Sequence, residues 1–293
     1  MSHRLVFGDS VLVSDNWDEV YLTYLANLME DGDTFKGRNG LTKAAFGCSV
    51  RADLRVGFPL TRLRKMPFKN LIREFLFDVG LSQNVEALGP AKHFWDFLAD
   101  ENGELGASAY NRQWRSWPAS RAGAEVPNET LVSVGVVDQL ERVRNLLIDT
   151  PNSRHGTVIT HNPTAINVGC PPCHIAMQFT PSCDGYLDLM VPARSNDMVV
   201  GFPLDIARYA IILEVMSQMV CMRPRFVYMP STNSHIYENC FGIVNELMTR
   251  EFRPECHLEI RRFDSFTSWD DVQFDDFDLE SYNPHDSVKV PVN

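Results

Sequence analysis

The chain has 293 residues, 44 % of them apolar and 22 % charged, which is enough length and hydrophobicity for a full core in one large domain or two small ones. A formal net charge of −11 argues against a broad nucleic-acid-binding surface, because a polyanion would be repelled, while a small pocket for one phosphate stays open. No stretch of about 18 consecutive apolar residues occurs, so a membrane-spanning helix is not expected.

The amino-terminal MSHRLVFGDSVLVSDNWDE is broken by Asp9, Asp15 and Asp18 and lacks a small-residue cleavage site, which argues against a signal peptide. VYLTYLANLM (20–29) repeats apolar residues at helical spacing and is stopped by DGD. GLTKAAFGCSVRADL (40–54) reads as two extended pieces around Gly47, and FKNLIREFLFDVG (68–80) as a helix closed by Gly80. Segment 98–130 is polar, Gly-rich and aromatic with little periodicity, and a loop of this length in a compact domain is often functional. Another helix is predicted over VGVVDQLERVRNLLID (134–149), ending at Thr150-Pro151. Extended runs follow in GTVITHN, HIAMQFT, YLDLMVPA and DMVVGF; then DIARYAIILEVMSQMV (205–220), nearly all apolar, reads as a central helix. The late segment 264–282 combines acidic residues with aromatics, the pattern of a solvated acidic surface over buried rings. With no repeat, low-complexity linker or clean boundary, one α+β domain is the economical architecture.

Seven cysteines (48, 170, 173, 183, 221, 240 and 256), an odd number scattered over a long chain, suit reduced thiols in the cytoplasm better than a disulfide framework. Within CPPCH (170–174), C-x-x-C-H is the haem-attachment spacing, C-x-x-C a redox dithiol, and Cys-x-x-Cys-His part of a zinc site. Haem attachment needs export to an oxidising compartment, for which the chain shows no signal. Zinc needs a fourth ligand, and Cys183 and His161 do not form a second close pair. A thioredoxin-like dithiol opens a helix, whereas HIAMQF reads as a strand. A single nucleophilic thiolate is the remaining reading, and it needs a nearby cation or helix N-terminus. Arg38, Arg154 and Arg194 stand in turn-like or strand-end contexts, where they read equally as phosphate ligands or as surface side chains.

Ten stretches, in order, resemble the thymidylate synthases and the related deoxycytidylate hydroxymethylases: GRNG (37–40), GFPLTRLRK (57–65), REFLF (73–77), FWDFLADENGELG (94–106), AYNRQWRSWP (109–118), PNSR (151–154), PPCHIAMQF (171–179), RSNDMVVGFPLDIARYA (194–210), SHIY (234–237) and YNPHDSVKVPV (282–292). The resemblance implies the thymidylate-synthase fold, α+β with a large mixed β-sheet, helices packed on one face and a sheet-to-sheet homodimer contact on the other. It implies one catalytic domain over 17–293, with 1–16 as an N-terminal extension. The co-substrate it implies is 5,10-methylenetetrahydrofolate, with no metal, no membrane and no nucleic acid.

By the same resemblance, Cys173 is the nucleophile that adds to C6 of a pyrimidine ring, while Cys170 lies outside the family's catalytic pattern. Thiolate addition turns C5 into an enamine carbon that attacks the methylene carried by the folate. Glu74 matches the residue that organises proton transfers and water, and Tyr110 and His174 match the polar surround. Arg38, Arg194 and Ser195 match a phosphate clamp completed by Arg154 from the partner subunit, with His155 where the family has a second partner arginine. His235 and Tyr237 match the pair that holds the sugar 3′-hydroxyl. Trp95, Asp197 and Gly201 match folate-side positions, Asp197 also lying next to the nucleotide, and Arg64-Lys65 replaces the family's Lys-Arg pair.

The departures point to a subgroup. Thymidylate synthases carry an asparagine where GFPLD has Asp205. The amide complements uracil, whereas a carboxyl suits the reversed donor and acceptor pattern of cytosine. Exchanging donor for acceptor leaves buried groups unpaired with the wrong base. RSND in place of RSCD resembles the hydroxymethylase version, and Leu98 and Ala193, where the synthases have tryptophan and glutamine, favour a wetter site. The expected activity is conversion of dCMP to 5-hydroxymethyl-dCMP. The alternatives are CMP hydroxymethylation, dCMP methylation, thymidylate synthesis from dUMP and, in another class, a metal- or haem-binding redox protein.

Overall fold

The computed structural model describes residues 1–37, 40–120, 133–163, 171–262 and 265–291. Its first half runs β1 (His3–Phe7), β2 (Ser10–Ser14), α1 (Trp17–Asp31), β3 (Asp33–Gly37), β4 (Gly40–Asp53), α2 (Phe68–Val79), α3 (Tyr110–Arg115), β5 (Trp117–Ser120), β6 (Ser133–Val137) and α4 (Gln139–Asp149). The second half runs β7 (Thr157–Ile159), β8 (Ala176–Pro181), β9 (Tyr186–Met190), β10 (Asn196–Asp197), α5 (Phe202–Met219), β11 (Arg223–Tyr237), α6 (Phe241–Leu247), β12 (His257–Ile260) and β13 (Phe277–Glu280).

Among the described residues nine strands form one mixed sheet, ordered β2-β1-β4-β11-β9-β8-β7, with β3 on β4 and β10 on β11. β9 and β10 run parallel to β11, and the other neighbours are antiparallel. β4 and β11 are the spine, paired from Asp53 opposite Phe226 to Thr42 opposite Tyr237. One face of the sheet carries the core. There Val50, Ala52, Val227 and Met229 lie under α1 and α5, and Phe202 of α5 stacks on Trp17 and Tyr21 of α1. α5 is apolar all round because it is covered on nearly every side.

The opposite face is open. Cross-strand registers put Val13, Arg4, Arg51, Tyr228 and Met190 in one row across five strands. Phe46, Val11 and Val13 are more than half exposed on the described chain. Residues 3–14, set apart in the sequence, form the β1–β2 hairpin that extends the sheet; Gly8, at φ +55°, makes its two-residue turn, and Leu5 enters the core.

The structure departs from the sequence expectations at three places. The predicted helix over 134–149 begins only at Gln139, because Ser133–Val137 carries three β-branched valines, holds Gly135 at φ +126°, and pairs with β5. Asp138, accepting from Glu141 N, caps the helix instead. DMVVGF is extended only at Asp197, whose Oδ1 accepts from Val199 N and Val200 N, both at 3.0 Å, and folds the chain into the turn before α5. Gly40–Asp53 is one strand, not two, with Gly47 at φ +74° absorbed within it.

A buried ionic centre ties the ends of the domain together. Arg62 is fully buried, with Nε 3.1 Å from Asp18 Oδ2 and a terminal nitrogen 2.7 Å from Glu255 Oε1. Asp18 also accepts from Thr61 Oγ1 and Arg62 N. Arg62→Ala strands the buried Asp18 and the largely buried Glu255 and is expected to cost about 3–5 kcal/mol of stability, measured by urea denaturation. A loss below about 1 kcal/mol would mean that water reaches this centre.

Candidate active site

Cys173 stands in the turn ahead of β8, partly exposed. Arg194 builds that turn: Nε donates to Pro172 O at 3.0 Å, a terminal nitrogen donates to Pro171 O at 2.6 Å, and the same nitrogen lies 3.9 Å from Cys173 Sγ. A cation this close to sulfur favours a thiolate. The thiol opens into a cavity of about 320 Å³ lined by Glu74, Trp95, Phe97, Leu98, Tyr110, His174, Gly201, Leu204, Asp205 and Arg208. The cavity thus draws on α2, the 94–98 turns, α3, the Cys173 turn and the start of α5.

Burial controls its electrostatics. His174 is fully buried and pushed down to about 4 by desolvation, so its imidazole is neutral at pH 7. Its Nδ1 meets the Tyr110 hydroxyl at 3.1 Å and its Nε2 lies 3.6 Å from Asp205 Oδ2. The tautomer that satisfies both neighbours has Tyr110 donating to Nδ1 and the Nε2–H turned to the carboxylate. Desolvation also raises Glu74 above the ordinary carboxylate range, with Arg208 opposing, and Trp95 Nε1 donates to Glu74 Oε1 at 3.4 Å. One helical turn on, Asp78 is pushed up to about 7 by burial.

A second cavity, of about 310 Å³, is lined by Phe35, Gly37, Thr42, Arg194, Ser195, Asn233, His235 and Tyr237. Arg194 therefore reaches from the thiol to this polar site. The rings of His235 and Tyr237 meet edge to face at 5.0 Å, and His235 Nδ1 lies 2.9 Å from Asn233 Oδ1. β10 sets Asp197 opposite His235, and burial raises Asp197 while lowering His235.

Most of the residues singled out in the sequence thus gather around two adjoining cavities. Four of the described ones do not line either cavity: Asp197, which caps the turn before α5 beside His235, and Arg64, Arg154 and His155. Arg64 is buried beneath the 197–200 turn, where its guanidinium donates to Val199 O. Arg154 and His155 are exposed in the turn before β7. Arg38 and Cys170 lie outside the described residues. Among those described, no three His, Cys, Asp or Glu side chains converge as a metal-ligand set, and no disulfide occurs. Sequence reasoning missed Asp78 and Arg208. Their signal was present: Asp78 interrupts the apolar end of α2 at i+4 from Glu74, and Arg208 interrupts the largely apolar α5 at i+3 from Asp205.

A thiol beside a guanidinium, an apolar wall, buried acids and a neutral imidazole can support covalent addition to a flat ring that carries a charged appendage. Residues 19–293 match the family model described as Thymidylate synthase, and the chain belongs to the thymidylate synthase family. It is accordingly a one-carbon transferase acting on a pyrimidine nucleotide, with methylenetetrahydrofolate as co-substrate.

Proposed function

We infer that the enzyme is a homodimeric deoxycytidylate 5-hydroxymethyltransferase. The observation that carries this reading is Asp205, a carboxylate at the floor of the cavity that Cys173 opens into. Cytosine offers the N4 amino group as a donor where uracil offers the O4 acceptor, so a carboxylate oxygen pairs with the first and opposes the second. In a buried site that opposition is costly.

Each residue then has a task. Arg194 and Ser195 hold the phosphate in the second cavity, His235 and Tyr237 hold the sugar, and the family resemblance adds Arg38 to the phosphate ligands. Asp197 steadies the turn between the two cavities, and Gly201 stands beside Asp205 on the folate side of the first. The thiolate of Cys173 adds to C6 and makes C5 nucleophilic. Glu74, raised by burial and held by Trp95, carries protons and orders water; Tyr110 and His174 fix the polar edge of the ring. The wall of Trp95, Phe97 and Leu98 fits the flat rings of the folate, which when bound supplies the one-carbon unit. C5 then gives up its proton to the Glu74 network as the folate nitrogen departs from the methylene carbon, water entering past Leu98 adds to that carbon as the new hydroxyl, and Cys173 leaves as C5–C6 is restored. The open sheet face, where Val11, Val13, Tyr228 and Met190 lie beside Arg4 and Arg51, and the exposure of Arg154 and His155 outside both cavities, support pairing with a second copy whose phosphate site they complete.

The test is incubation with dCMP, CMP or dUMP and methylenetetrahydrofolate, followed by product mass. Gain of CH2O on dCMP, without oxidation of the folate, is expected. Gain of CH2 would make the enzyme a methylase, turnover of CMP in preference would move it to the ribonucleotides, and turnover of dUMP alone would remove the cytosine reading.

A further inference from the structure

Arg208 is 3 % exposed in the middle of an apolar helix, in a place where a charge is retained only if it is paired. One terminal nitrogen donates to Asp78 Oδ2 at 2.9 Å and the other to Asp205 Oδ1 at 2.7 Å. Its guanidinium carbon lies 5.3 Å and 5.7 Å from the ring centres of Tyr110 and Tyr209, which hold the plane of the fork. Asp78 is 2 % exposed and comes from α2, so the fork is anchored on a different element from the one that carries it. Asp205, 22 % exposed at its side chain, and Arg208, 4 % exposed at its own, both line the cavity, and Asp78 does not, so Asp205 is the one of the three most open to a ligand.

This geometry divides the two oxygens of Asp205. Oδ1 is taken by Arg208, and Oδ2 lies 3.6 Å from His174 Nε2 and beside Gly201, two residues that line the cavity. A free carboxylate could rotate and offer either oxygen, or both, to a base. A carboxylate held at Oδ1 offers a single acceptor in one direction.

Building on the cytosine reading above, we propose that Arg208, anchored by Asp78, is a positioning residue that presents Asp205 to the pyrimidine as one fixed acceptor oxygen, and so sets discrimination between amino and carbonyl ring edges. Arg208 acts through Asp205 and needs no contact with the nucleotide. Discrimination arises because Oδ2 cannot turn away from a carbonyl edge once Oδ1 is held.

The test is equilibrium binding of dCMP and dUMP by titration calorimetry, without folate so that no turnover occurs. Asp78→Leu/Arg208→Met removes the buried pair together, a replacement that buried ion pairs commonly tolerate. Arg208→Lys keeps the charge but, with one ammonium, cannot span both carboxylates. In each folded variant, checked by circular dichroism, the dCMP-to-dUMP affinity ratio is expected to fall at least about tenfold, through weaker dCMP binding. Asp78→Asn, whose amide oxygen still accepts from Arg208, is expected to keep the ratio within about threefold of wild type. A ratio within about threefold of wild type in either the double variant or Arg208→Lys overturns the proposal. The two failures are separable. A wild-type protein that prefers dUMP removes the cytosine reading, whereas a wild-type preference for dCMP that survives in these variants removes only the role of Arg208.

Discussion

Replacing Cys173 by alanine is expected to lower turnover by on the order of 10⁴-fold or more, while nucleotide binding survives within about tenfold. In the proposed mechanism sulfur enters through a covalent bond, so its loss removes a chemical step and not a uniform contact. The pocket that binds the nucleotide is built by other atoms: the fork of Arg194 holds the Pro171 and Pro172 carbonyls through hydrogen bonds that do not involve sulfur. Mass spectrometry of enzyme trapped with a nucleotide substituted at C5 reads the step directly, since a covalent adduct should form on the wild-type chain and not on Cys173→Ala. Cys170→Ala is expected to leave both adduct and turnover largely intact. Equal loss of activity in both variants would return the C-x-x-C dithiol to consideration.

Asp205→Asn is the second substitution with a large expected effect. It should shift the ratio of kcat/KM for dCMP over dUMP toward dUMP by on the order of 10²-fold or more, because a donor replaces an acceptor in a buried site. The surrounding structure sharpens the expectation. Arg208 donates to Oδ1 at 2.7 Å, and an amide oxygen placed there satisfies the same contact. The amide nitrogen then occupies the place of Oδ2, where it donates to a carbonyl edge and clashes in polarity with an amino edge. Unchanged base preference in this variant would show that the ring is read elsewhere in the cavity.

Much of the site could be located from residues that are adjacent or at helical spacing. The apolar periodicity of 68–79 placed Glu74 on a helix, and the nearly uninterrupted apolar run of 205–220 marked a buried helix with Asp205 at its start. Other expectations failed for local reasons. Val134–Val137 and Asp197–Phe202 differ from the pattern of their residues because a single side-chain cap, Asp138 in one and Asp197 in the other, decides where extended chain gives way to helix or turn. Arg64 was expected near the folate, yet its guanidinium turns inward to Val199 O; a sequence shows that an arginine is present but not which way its long side chain runs.

The sequence by itself determined the family, the nucleophile candidate and the acid that replaces an amide, because each rests on residue identity at a recognisable spacing. Only the tertiary structure decided how those residues act on one another. Asp78 and Asp205 are more than a hundred residues apart and meet through Arg208, and burial by elements remote in sequence leaves His174 neutral and raises Glu74. Such pairings depend on which helices pack together and on how much water they exclude, and neither quantity is carried by any short stretch of chain.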